Sequence, residues 1–78
     1  MPSVKIYTTP SCVYCKMAKE YFKKNNVAYE EYNVASDEKA RKEMVDVSHQ
    51  LGVPVIKIDD YVVVGFDRET LAQLLGIK

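Results

Sequence analysis

Cys12 and Cys15 are the only cysteines in 78 residues, and two positions separate them. Thiols at that spacing can cycle between dithiol and disulfide, supply half of a tetrahedral metal site, or pack as small apolar side chains. A loop closed across Cys-x-x-Cys is too short to constrain much of the unfolded chain, so a purely structural disulfide would stabilise little. In a reducing compartment such a pair is more often catalytic or metal-binding than structural. Zinc needs further ligands, and His49, the one histidine, is the only other good candidate. A monomeric zinc centre is therefore incomplete. Two chains pooling four thiolates around a metal ion or an iron–sulfur cluster is the metal reading that remains.

The chemistry of the pair depends on the elements that hold it. Ser3 to Thr8 alternates, with Val4 and Ile6 on one side and Lys5 and Tyr7 on the other, the periodicity of a strand with one face buried. From Val13 to Lys24 the larger apolar residues fall at Val13, Met17, Tyr21 and Phe22 among lysines, which predicts an amphipathic helix stopped at Asn25-Asn26. Val27 to Val34, rich in tyrosine and valine, reads as a second strand. Ser36 or Asp37 can cap the next helix, with Ala40, Met44 and Val47 inward and a break at Leu51-Gly52. Val53 to Ile58 is a third strand with Pro54 near its start, Asp59-Asp60 a hairpin turn, and Tyr61 to Val64 the return. Asp67 can cap a last helix with Leu71, Leu74 and Leu75 inward, closed by Gly76 with Ile77 as the accompanying contact. The order β-α-β-α-β-β-α predicts an α/β fold. A right-handed parallel crossover and a closing antiparallel hairpin share one mixed four-stranded sheet, flanked by three helices.

Composition narrows the function. Apolar residues make up 47% of the sequence and charged residues 28%, ordinary globular usage for one small domain spanning 1–78. Eleven basic and eleven acidic residues cancel, so no basic field exists to hold nucleic acid. The apolar runs around Val53 to Ile58 and Tyr61 to Val64 fall far below the ~20 residues of a membrane span, and the N-terminus lacks a signal peptide's pattern. A cytosolic monomer, with no nucleic-acid or membrane partner, is the expectation.

Placed on these elements, Cys12 stands between the first strand and the first helix, and Cys15 in that helix's first turn. Orphan backbone N–H groups and the positive end of the helix dipole would favour a thiolate at Cys12, and Lys16 adds a cation. Cys15, deeper in the turn, is placed to attack a mixed disulfide formed at Cys12. Cys-x-x-Cys beside a strand-helix-strand pattern reads as a thioredoxin-like redox motif. Tyr14 lies between the thiols and so near any substrate. His49, near the end of the second helix, reads as a capping or surface residue and not as a catalytic base.

The runs IYTTPSCVYCKMAKEYF, LGVPVIKID and VVVGFDRETLAQLL resemble the glutaredoxin family over essentially the whole chain, most strongly its small glutaredoxin-like and ribonucleotide-reductase-associated redoxins. The resemblance implies a minimal thioredoxin fold, Cys12 as nucleophile, Cys15 as resolving thiol, and a cis proline at Val53-Pro54. A cis bond there would expose the Val53 backbone to an extended substrate peptide. It also implies a disulfide-containing client, glutathione or thioredoxin reductase as electron donor, and no bound cofactor. Val13-Tyr14 replaces the Pro-Tyr usual between glutaredoxin cysteines, Thr9 replaces a basic residue, and Val64-Gly65-Phe66-Asp67-Arg68 replaces a Gly-Gly-x-Asp-Asp pattern. The last two changes weaken a glutathione site. Gly65-Phe66 resembles instead the reductase-associated redoxins, members of which draw electrons from thioredoxin reductase. Asp67, a helix cap first, marks an N-terminus that can also receive a glutathione carboxylate.

Overall fold

The computed structural model describes residues 3–50 and 52–76. β1 (Val4–Thr8), α1 (Val13–Lys24), β2 (Glu30–Asn33), α2 (Glu38–Ser48), β3 (Val55–Ile58), β4 (Tyr61–Val64) and α3 (Arg68–Leu75) follow in the expected order. The sheet runs β2-β1-β3-β4: β1 pairs parallel with β2, and antiparallel pairs join β1 to β3 and β3 to β4. This is the minimal thioredoxin fold, with three helices around a mixed four-stranded sheet.

The alternation of each strand divides the core between the two faces of the sheet. On one face Val4, Ile6, Ile56, Ile58 and Val63 pack with Ala18 and Phe22 of α1 and Leu71 of α3. On the other, Tyr7, Val34 and Val55 pack with Ala40 and Met44 of α2. One-sided burial of β1 is therefore corrected. Tyr7 is fully buried beneath α2, where its hydroxyl donates to Glu43 and its ring stacks on Tyr32 at 5.5 Å.

The face of α1 is also corrected. Its buried stripe is Cys15, Ala18 and Phe22, whereas Val13 and Met17 are 68% and 44% exposed. Cys15 and Ala18 take the inward positions at the start of the stripe and Phe22 fills the core further along, while Val13 and Met17 are turned outward. β2 is shorter than Val27 to Val34 because only Glu30–Asn33 pairs with β1.

The helix ends follow their local chemistry. Asp37 and Asp67 each accept the backbone N–H three residues on, from Ala40 at 3.0 Å and Thr70 at 3.2 Å. Asn26 at φ 58 follows the end of α1, and Gly76 at φ 72 ends α3. His49 is exposed and is itself the left-handed C-cap of α2, so this helix stops before Leu51, which, like Ile77, lies outside the described residues. Among the described residues no helix is long and apolar enough to cross a membrane.

Candidate redox site

Cys12 arises where the chain leaves β1. After Thr8 the backbone turns through Pro10 and Ser11, the Cys12 N–H donates to the Thr9 carbonyl at 3.3 Å, and Cys12 becomes the N-cap of α1 in an extended conformation. Sulfur here takes the place usually held by a Ser, Thr, Asp or Asn oxygen: Cys12 Sγ accepts the Cys15 N–H at 3.1 Å. Both thiols are free, and they differ in surroundings. Cys12 is half-buried and Cys15 is 1% exposed. Burial, reinforced by the neighbouring Cys12, pushes the Cys15 thiol up to about 12, against opposing pulls from the Thr9 backbone and the Lys19 charge.

An open cleft of about 270 Å³ beside Cys12 is walled by residues that include Thr8, Thr9, Lys16, Lys19 and Glu31. The register Ile6↔Glu31 sets Glu31 on the sheet face covered by α1. There its Oε2 accepts from Lys19 Nζ at 2.8 Å and from the buried Thr8 hydroxyl at 3.0 Å. Lys19 holds the Glu31 carboxyl below the usual range, and Glu31 raises Lys19 in return. Sequence reading did not single out these three residues. The four-residue step from Cys15 to Lys19 was a visible signal, but Glu31 enters only through strand register.

Of the other expected site residues, Pro54 and Gly65 lie at the Thr8 end of the sheet, whereas Phe66 packs on Tyr21 further along α1; none of them lines the cleft beside Cys12. Pairing of Tyr7 with Val55 carries β1 and β3 forward so that Pro54 lies beside Thr8, the strand residue that leads to Cys12. The Val53-Pro54 bond is cis, Pro54 is buried, and its carbonyl accepts the Gly65 N–H at 2.8 Å. Gly65 has φ 82, a conformation that strains any residue with a Cβ. Phe66 meets Tyr21 of α1 edge-on at 5.9 Å, and the Arg68 guanidinium lies 5.6 Å from the centre of the same ring. Asp67 is committed to the cap of α3, accepting from the Thr70 backbone and at 2.7 Å from its hydroxyl, which holds its carboxyl below the usual range. Tyr14, 62% exposed, lies with Val13 and Met17 on the outward side of α1. Among the described residues no three His, Cys, Asp or Glu side chains stand close enough to hold a metal ion.

A thioredoxin fold with an unequal pair of thiols at the first helix defines a class of small two-cysteine redox proteins. Residues 4–63 match the family model for glutaredoxin, and the chain belongs to the glutaredoxin family. It is 47% identical, over 92% of its length and 96% of the relative's, to a glutaredoxin-like 8.6 kDa protein in the rubredoxin operon of Clostridium pasteurianum. The crystal structure of a T8A mutant of the thioredoxin-like protein BC3987 superposes with a TM-score of 0.93 at 41% identity and full coverage of both chains. NrdH-redoxin from Escherichia coli, described as a glutaredoxin-like protein with a thioredoxin-like activity profile, superposes at 0.81 with 25% identity over 92% of this chain and 93% of its own.

Proposed function

We propose that this protein is a dithiol disulfide reductase that passes electrons from a cellular reductant to disulfides of proteins or small molecules. Cys12 is the attacking nucleophile, Cys15 the resolving thiol. The observation that carries this is the inequality of the pair: Cys12 Sγ is accessible at the helix N-terminus with the Cys15 N–H directed at it, whereas Cys15 is buried and held as a thiol. The electron pair of Cys12 attacks one sulfur of the client disulfide and expels the other as a thiolate. Cys15, on losing its proton, then attacks Cys12 Sγ, releases the second client sulfur and leaves a Cys12–Cys15 disulfide. A reductant, thioredoxin reductase or glutathione, returns the pair to thiols.

The client would lie across the end of the sheet, with the Val53 and Pro54 backbone, Gly65, Phe66 and the start of α3 at Asp67 on one side. Tyr14 and its apolar neighbours on α1 stand on the other. The Gly65–Pro54 hydrogen bond fixes β4 against this loop, which supports treating them as one platform. The resemblance of Gly65-Phe66 to the reductase-associated redoxins and the structural match to NrdH-redoxin favour thioredoxin reductase as the donor.

The test is substitution of each cysteine in an insulin-reduction assay. Cys12→Ser abolishes reduction. Cys15→Ser also stops turnover but accumulates a mixed disulfide at Cys12, visible as a mass adduct. Full activity in Cys12→Ser overturns the assignment of the nucleophile, and a protein that carries zinc or a coloured iron–sulfur cluster on these cysteines and reduces no disulfide overturns the reading in favour of a metal-thiolate carrier.

A further inference from the structure

Resolution asks Cys15 to become a thiolate in a place that opposes one. Its side chain is 1% exposed, on the buried stripe of α1. Lys19 stands one helical turn further along α1, on the face that Cys15 shares. Its ammonium is fixed there by the 2.8 Å bond to Glu31, whose carboxylate is held in turn by the Thr8 hydroxyl at 3.0 Å. The cleft that reaches Cys12 opens onto both Lys19 and Glu31, so this charge stands beside the space in which the mixed disulfide forms.

From this geometry we infer that Lys19, positioned by Glu31, supplies the positive charge under which Cys15 is deprotonated and resolves the mixed disulfide at Cys12. The inference rests on the disulfide-reductase reading. In that step Cys15 gives its proton to solvent, its electron pair forms the bond to Cys12 Sγ, and the bond from Cys12 to the client sulfur breaks. The client sulfur leaves as a thiolate and is protonated by water. Lys19 keeps its proton throughout and is a positioning residue, not a general acid. The charged or titratable groups facing Cys15 are Cys12 and Lys19 from α1, with Tyr29 and Glu31 of the β2 segment around Lys19 and Lys23 a turn beyond. A nearby opposite charge favours the ionised thiol, and Lys19 acts on Cys15 in that direction beside the larger pull of the Thr9 backbone.

The experiment separates the two thiols in time. Reduced protein is mixed with 2,2′-dipyridyl disulfide, a neutral probe, and pyridinethione release is followed by stopped flow. A fast phase of one equivalent reports attack by Cys12, and a second equivalent reports resolution by Cys15. Lys19→Gln slows the second phase by about tenfold near neutral pH, leaves the first within about twofold, and moves the second phase's pH midpoint upward. Lys19→Arg restores most of the second-phase rate. An unchanged second phase in Lys19→Gln, equal slowing of both phases, or an arginine variant as slow as glutamine overturns the role of Lys19. Failure of the unmodified protein to release a second equivalent instead overturns the dithiol reading itself.

Discussion

Cys12 and Cys15 are separated by burial more than by sequence. With the Cys15 thiol pushed up to about 12, its thiolate fraction near neutral pH is roughly one part in 10⁴ or less, and the sulfur is also inaccessible. Iodoacetamide at neutral pH is therefore expected to label Cys12 first, as peptide mapping by mass spectrometry would show; first labelling of Cys15 would reverse the assignment of roles. The same burial links stability to pH. Because the folded state holds the Cys15 proton to a higher pH than the unfolded chain, this contribution is complete below the ordinary thiol value and is lost as pH rises through the range up to about 12. Urea unfolding of the reduced protein should lose stability between about pH 8.5 and 10 by at most ~1.4 kcal/mol per pH unit, and Cys15→Ala should flatten that slope. Tyr7, also raised by burial and by Glu43, acts in the same direction but is present in both proteins and cancels from the comparison. Superimposable slopes would show that burial does not set the protonation of Cys15.

At the level of elements, the strands and helices were legible because their periodicities and caps are local: Asp37, Asn25-Asn26, Asp67 and Gly76 all stand where their side chains or backbones end a helix. The rotation of α1 was not legible. Hydrophobic size pointed to Val13 and Met17, yet the inward stripe is Cys15, Ala18 and Phe22, with Ala18 and Phe22 packed on the residues of β1 and β3. Packing of this kind is decided by the distance between elements, which no local pattern contains. The cysteine pair stands out by its spacing, whereas Val53-Pro54 before β3 and Gly65-Phe66 after β4 come only through the resemblance to glutaredoxins. The Thr8–Glu31–Lys19 network could not, because it needs the β1–β2 register. The corrected face makes opposite forecasts for two substitutions. Val13→Ala should change stability by no more than ~0.5 kcal/mol, as at other exposed positions. Ala18→Leu should cost about 1–3 kcal/mol, because Ala18 is fully buried against the sheet. Chemical denaturation of the two variants tests this; a severe loss on trimming Val13 with tolerance at Ala18 would restore the sequence-based face.

In the proposed reading the client and the reductant meet the Cys12 end of the sheet, and what surrounds that end bears on the choice of reductant. Glutathione binding needs a cationic partner for its glycine carboxylate near Cys12 and a receptive turn for its γ-glutamyl end. Thr9 borders the Cys12 cleft without a charge, and Lys19 there is already engaged by Glu31, leaving Lys16 as the cleft's other cation. On the far side, Asp67 is taken up by the cap of α3. Loss of one charge-assisted contact typically costs ~1.5–3 kcal/mol, about one to two decades in affinity. The protein is thus expected to be a weak partner of glutathione and a better one of thioredoxin reductase, whose contacts can spread over the exposed Val13, Tyr14 and Met17 beside the thiols. Thr9→Lys should raise the rate in an assay coupled through glutathione and glutathione reductase by about tenfold or more, while changing insulin reduction driven by thioredoxin reductase by less than about twofold. Rapid glutathione-coupled turnover by the unmodified protein, with no response to thioredoxin reductase from a matched source, would place the donor preference with glutathione and show that Lys16 alone suffices to hold its carboxylate.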